Sequence, residues 1–296
     1  GAAVAASRLL GLDREQTANA FGIAGSMASG LLEFFTDGAW TKHLHPGWAA
    51  HNGIFAALLA RKGFTGPRQV LEGKYGFLKA YSDDPDPQEV TRELGGSYAI
   101  ERTSLKTRAC CHYFQAPVDA TIELVNENDI QPEDVTSVQV KNVKAIDVLK
   151  DPEEIKYRPR TVFDAKFSLP FAVAAAILRR RAFVEEYAPE GVESPEVRSL
   201  MQKIRYDHEP ELDAEFPVKW PCVVTIRTKQ GETFELRKDY HRGDYRDPLS
   251  WEELSEKYHN LTRDRIPDQD ARAVNALVGR LEELNDIHHL TRLLEV

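Results

Sequence analysis

The sequence runs to 296 residues, 42% hydrophobic and 29% charged, with a formal net charge of −9, the balance of an ordinary globular chain with room for one large domain or two smaller ones. The acidic balance argues against a nucleic-acid partner, because neutralising phosphates takes a basic surface, yet it leaves room for a small anion held by a few lysines in a cleft. No apolar run reaches the length of a membrane span, so no membrane partner is expected.

Residues 1–82 read as all-helical. The chain opens on Gly1-Ala2-Ala3-Val4-Ala5-Ala6-Ser7-Arg8-Leu9-Leu10, which has the character of a helix interior, and the expectation is that upstream chain precedes it. Asp13 with Gln16 forms a capping-box pattern for the next helix. That helix leads into the small residues Gly25-Ser26-Met27-Ala28-Ser29-Gly30. A further helix is predicted from near Pro46 to Gly63, with proline at its start and glycine just past its end. Ala49, Ala50, Gly53, Ala56, Ala57 and Ala60 give it a face suited to close helix contact.

Asp83-Asp84-Pro85-Asp86-Pro87 reads as a polar linker. Beyond it the pattern becomes mixed. A helix is predicted over 116–128, a strand over 135–148, and a strongly apolar helix over 164–181 with Pro170 in its first turns. Residues 222–228 and 233–238 flank Lys229-Gln230-Gly231-Glu232, a hairpin signal. Ser250 with Glu253 caps another helix, and a last one is predicted over 268–285. Helices, then an α+β stretch, then helices fit a mainly α fold, with a large helical domain interrupted by a smaller α+β domain. The boundaries expected are 1–90 and 246–296 for the two parts of the helical domain and 91–245 for the α+β domain.

Cys110, Cys111 and Cys222 are an odd count with two adjacent, a poor disulfide framework. They suggest a reducing, cytoplasmic setting. The sequence holds no Cys-x-x-Cys, no His-Glu-x-x-His and no Gly-x-Gly-x-x-Gly after a strand, so it gives no local sign of a metal or a dinucleotide.

Five stretches resemble the MmgE/PrpD family. They are Thr41-Lys42-His43-Leu44-His45-Pro46-Gly47-Trp48-Ala49-Ala50-His51-Asn52-Gly53; Gly63-Phe64-Thr65-Gly66-Pro67 with Leu71-Glu72-Gly73 and Gly76-Phe77; Lys106 with Cys110-Cys111; Asp164-Ala165-Lys166-Phe167-Ser168-Leu169-Pro170-Phe171; and Asp247-Pro248-Leu249-Ser250 with Leu254 and Lys257-Tyr258. The first and fourth are fairly specific, and the order and spacing of all five strengthen the match. The resemblance implies a helical domain plus a smaller α+β domain with a site in the cleft between them. It implies a homodimer, a small di- or tricarboxylate as substrate, and no metal or organic cofactor.

The resemblance makes Lys42 and Lys106 the leading candidates for carboxylate anchors in catalysis, since an ammonium serves as a point charge. The plainer reading of Lys42 is a solvated lysine near a helix start, and of Lys106 an interdomain salt bridge. His45 is the candidate acid–base group, because histidine titrates nearest neutrality; it could equally be held by backbone. Arg108 is a natural carboxylate fork. Phe171, where members usually carry Tyr, is expected in the core or against substrate. Gln115 stands where a His is common. The paired cysteines read as buried small residues rather than nucleophiles.

The leading functional expectation is a cofactor-independent lyase of the 2-methylcitrate-dehydratase type, moving a proton next to a carboxylate. The alternatives within the enzyme class resemble cis-aconitate decarboxylase or iminodisuccinate epimerase. From another class comes a non-catalytic subunit, or half of a split enzyme completed by a companion chain that supplies an N-terminal half.

Overall fold

The computed structural model describes residues 1–295. Backbone contacts divide the chain into two compact units, one ending at Ala99 and the other starting at Ile100.

The first unit is helical: α1 (Ala2–Leu9), α2 (Arg14–Ser26), the single turn α3 (Phe34–Asp37), α4 (Thr41–Arg61) and the short α5 (Phe77–Tyr81). The predicted capping box is present. The Asp13 carboxylate accepts from the Gln16 N–H at 2.8 Å, and the Gln16 side chain accepts from the Asp13 N–H at 3.1 Å. The core is made of small side chains, with Ala6, Ala20, Ile23, Ala56, Ala57 and Ala60 all buried. Small residues let backbones approach closely, and Gly53 shows how closely: a Cβ there would stand 2.4 Å from that of Ala2. The part of the small-residue face of α4 from Gly53 to Ala60 is thus covered by α1 and α2 of the same chain, whereas Ala49 and Ala50 are exposed.

Helix α4 differs from expectation at its start. It begins at Thr41, not near Pro46, so Pro46 lies in its second turn. A helical turn is already set by the His43 N–H bonding to Trp40 O at 2.9 Å, and a proline this near the start removes only one bond of the ladder. Lys42 and His45 therefore ride on the helix rather than on a turn before it.

The second unit is α+β. Its elements are α6 (Gln115–Glu127), β1 (Val135–Asn142), α7 (Glu153–Tyr157), α8 (Val162–Lys166), α9 (Leu169–Arg179), α10 (Pro189–Glu193), α11 (Pro195–Met201), β2 (Ile204–His208), α12 (Pro210–Asp213), β3 (Cys222–Thr228), β4 (Thr233–Lys238), α13 (Trp251–Thr262), α14 (Asp268–Val278) and α15 (His288–Thr291). The strands form one sheet in the order β2-β1-β3-β4, with β1 and β2 parallel and the other pairs antiparallel.

One face of the sheet is apolar. Val138 lies between Ile204 and Ile226, and Val140 between Tyr206 and Val224. The other face carries polar pairs such as Gln139–Asp207 at 2.8 Å and Lys141–Glu209 at 2.7 Å. A single covered face is the usual condition of a largely antiparallel sheet. Helix α9 is buried along its length from Leu169 to Ile177, as expected of a helix apolar on all sides.

Three predicted elements are shorter than expected. The helix over 164–181 breaks between Lys166 and Leu169. Pro170 has no N–H to give the Lys166 carbonyl, and that carbonyl instead accepts from Cys111 N–H at 2.9 Å. Ser168 then caps α9 by accepting from the Phe171 N–H at 3.1 Å. The strand over 135–148 stops at Asn142, because Asn142 pairs with His208 and Cys222, where the neighbouring strands themselves end. The final helix stops at Val278, before Gly279. The hairpin at Gly231 and the capping box at Ser250 are as predicted.

Candidate functional site

The loop that carries Lys106 is fixed from several directions. Leu105 N–H donates to Gly243 O at 2.7 Å. The Ser104 hydroxyl donates to Asp244 at 3.2 Å. The ammonium of Lys257, on α13, donates to the main-chain oxygen of Lys106 at 2.7 Å. Gly243 has φ +94°, and a Cβ there would meet the Leu105 oxygen at 2.2 Å, so only glycine fits this approach.

The residues after Lys106 are pinned to α6. Gln115, fully buried, accepts from the Arg108 N–H at 3.0 Å and donates to the carbonyls of Arg108 and Cys110 at 3.1 and 3.3 Å. Asp119 receives Arg108 through Nε at 2.9 Å and Nη2 at 2.8 Å. It also accepts from the backbone N–H of Arg242 at 2.8 Å. The Lys106 side chain itself is exposed, and its ammonium reaches the Cys110 carbonyl at 3.2 Å.

Next to this loop stands a pair of histidines that sequence reasoning missed. His112 packs edge-on to Trp220 and to His241, with ring centroids 4.4 and 4.9 Å apart. Burial, the neighbouring His241 and the Lys106 ammonium together hold the His112 imidazole down at about 4, with Asp244 opposing them. His112 is therefore neutral near pH 7. His241 is 2% exposed, and its Nδ1 lies 2.8 Å from Arg242 O, which makes Nδ1 the protonated nitrogen. Its Nε2 is buried with no hydrogen-bond partner. The only sequence signal was a histidine six residues beyond Lys106, and nothing in the linear pattern joined it to His241.

The other expected site residues fall as follows. The Lys42 ammonium stands 6.0 Å from the Phe34 ring centroid. His45 meets the same ring edge-on at 5.8 Å. His45 lines a cavity of about 570 Å³ with Gly30, Phe34, Leu44 and Trp48. Both residues belong to the helical unit, whereas Lys106, Arg108 and Phe171 belong to the other. Within the second unit, Arg108 is engaged by Asp119 rather than presented as an open fork. Phe171 has no exposed surface and packs its ring 5.1 Å from that of Tyr187; with no surface to offer a ligand, it acts as core here. Cys110 and Cys222 are buried and pushed up to about 12 by that burial, so their thiols stay protonated. Cys111 is half-buried. Among the described residues, no three His, Cys, Asp or Glu side chains gather as a metal-holding group, and no helix is long and apolar enough to cross a membrane.

Comparison with known families matches residues 109–283 to the MmgE/PrpD C-terminal domain and residues 1–90 to the MmgE/PrpD N-terminal domain. The chain belongs to the MmgE/PrpD family. The junction between its two compact units falls between the two matched segments. Among MmgE/PrpD relatives, it is 28% identical over 310 residues to the cis-aconitate decarboxylase-like protein oryM of Aspergillus oryzae, covering 99% of this chain and 62% of that protein. It is 28% identical to the cis-aconitate decarboxylases of Mus musculus, over 300 residues, and Homo sapiens, over 301. Those matches cover 100% of this chain and 60% and 61% of the two relatives, so the chain spans about three fifths of their length.

Proposed function

We propose that the protein acts on small polycarboxylic acids as a lyase, with loss of carbon dioxide from an unsaturated tricarboxylate as the favoured reaction and loss of water from a hydroxylated one as the second. The observation that carries this reading is the exposed Lys106 ammonium, presented on a backbone clamped on both sides and standing next to a histidine held neutral. The similarity to cis-aconitate decarboxylases favours decarboxylation over the dehydration expected from the motifs alone.

In this reading Lys106 anchors a substrate carboxylate. A fixed cation beside the reacting carbon stabilises the negative charge that develops there without reorganising. When the carbon–carbon bond breaks, carbon dioxide leaves and the electron pair stays on carbon, delocalised towards the neighbouring unsaturation and carboxylate. A proton then forms the new carbon–hydrogen bond. His112, neutral at pH 7, fits the role of a hydrogen-bond donor to the developing charge, since a neutral imidazole still carries one N–H. Lys42 and His45 are the corresponding candidates in the helical unit, with Lys42 as a further carboxylate anchor.

Proton NMR in deuterated water, with cis-aconitate, 2-methylcitrate and a panel of other di- and tricarboxylates, tests the proposal. Decarboxylation with one solvent deuteron incorporated at carbon is expected. Water loss from 2-methylcitrate without decarboxylation would favour the second reaction. No conversion and no saturable binding of any acid in the panel would overturn the reading.

A further inference from the structure

The Lys257-Tyr258 pair belongs to one of the sequence stretches that resembles the family, yet no role in the chemistry above falls to it. Helix α13 begins with a capping box in which Ser250 accepts from the Glu253 N–H at 3.2 Å and Glu253 accepts from the Ser250 N–H at 2.7 Å. Positions 253 and 257 are four residues apart and so lie one above the other on one face. Glu253 uses that face to hold the Arg242 guanidinium, at 3.1 Å from Nε and 2.5 Å from Nη2. Lys257 uses it to reach the Lys106 carbonyl. One face of one helix thus grips the turn that contains Gly243 and the loop that contains Lys106.

Two peptide planes meet at a residue, and together they fix where its Cα–Cβ bond points. On the N-terminal side of Lys106, the Leu105 carbonyl packs so closely on Gly243 that a Cβ there would stand 2.2 Å from its oxygen, and the Leu105 N–H, one peptide earlier, is tied to the Gly243 carbonyl at 2.7 Å. On the C-terminal side, the Lys106 carbonyl is tied to Lys257 at 2.7 Å. Lys257 is half-buried, and the carbonyl it holds brings no countercharge. Burial and, after it, the nearby Lys106 ammonium both disfavour the charged form of Lys257. Glu253, the carboxylate one turn away, is engaged by Arg242. The Lys106 ammonium is near enough to bear on that of Lys257, and paired positive charge favours an incoming carboxylate.

We propose that Lys257 is a positioning residue for Lys106: its ammonium clamps the Lys106 carbonyl, orients the Lys106 side chain and adds a second positive charge to the place where a substrate carboxylate docks. This rests on the reading of Lys106 as a carboxylate anchor.

The test pairs a binding measurement with one that needs no substrate. Lys257→Met keeps the aliphatic stem and removes the charge and the donor, and Lys257→Arg restores both; Lys257→Gln replaces the Met variant if that one fails to fold. Amide hydrogen exchange is followed over residues 103–108, and tricarballylate, an unreactive tricarboxylate, is titrated by calorimetry. Exchange over 103–108 several-fold faster in Lys257→Met, a dissociation constant raised tenfold or more, and recovery of both in Lys257→Arg are expected. Unchanged exchange overturns the clamp. Faster exchange with unchanged tricarballylate affinity overturns the positioning role. A wild-type chain that binds no tricarballylate, while exchange still responds to Lys257→Met, overturns the polycarboxylate reading and leaves the clamp standing.

Discussion

Asp119 on α6 accepts a hydrogen bond from the backbone N–H of Arg242 at 2.8 Å, across 123 residues of sequence. The same carboxylate holds the Arg108 guanidinium. It is 7% exposed, so both bonds are made largely out of water, where a charged acceptor is strong. Through this one side chain α6 joins the loop that follows Lys106 to the turn that holds it from the other side.

Replacing Asp119 with Ala should therefore be costly. It leaves a partly buried guanidinium and a backbone N–H without their acceptor. Breaking a buried pair by removing one partner costs roughly 3–5 kcal/mol, reduced here to about 2–4 kcal/mol because Arg108 is partly exposed. Urea unfolding reads this directly. A midpoint within error of wild type would mean that water replaces the carboxylate without loss.

Lys106→Ala should behave in the opposite way. The side chain is exposed, so stability should change by no more than about 0.5 kcal/mol. The tricarballylate dissociation constant should rise at least tenfold, equivalent to about 1.4 kcal/mol. Loss of stability without loss of affinity would make Lys106 a structural residue.

His112 gives a pH signature. Its folded-state value is depressed to about 4 from an ordinary 6.5. The folded protein therefore binds fewer protons than the unfolded chain between those values. Its contribution to stability is complete above about pH 6.5 and is lost as the pH falls towards 4. The groups facing it are His241, Lys106 and Asp244. Wild type should lose stability relative to His112→Gln between pH 7 and pH 4.5, by on the order of 1 kcal/mol once partial exposure is allowed for. Parallel stability–pH curves for the two proteins would place His112 outside this network.

The small-residue face of α4 tests whether close packing there serves the fold or an assembly. Ala57 is fully buried against this chain's own helices. Ala57→Leu should destabilise by about 1–3 kcal/mol through overpacking. Its mass by light scattering should match that of wild type. Dissociation of a dimer with unchanged unfolding would show that the face meets a second copy instead.

Short-range chemistry made part of this protein legible in its sequence. Asp13 with Gln16 and Ser250 with Glu253 mark helix starts because the bonds they make span three residues. Gly231 marks the hairpin because a positive φ there, +85°, is a local requirement. The motifs around Lys42 and Asp164 pointed to the family because they are contiguous strings. What those strings left open depends on residues far apart in the chain. Pro170 by itself permits a helix through Lys166, and the break follows because Cys111 takes the Lys166 carbonyl. Arg108 has the shape of an open fork until Asp119 closes on it. Phe171 could line a wall or fill a core, and only the packing of α9 decides for the core. His112 and His241 lie 129 positions apart, and Lys257 and Lys106 lie 151 apart. No periodicity or spacing encodes such pairings, because they are set by where the sheet, α6 and α13 bring separate loops together.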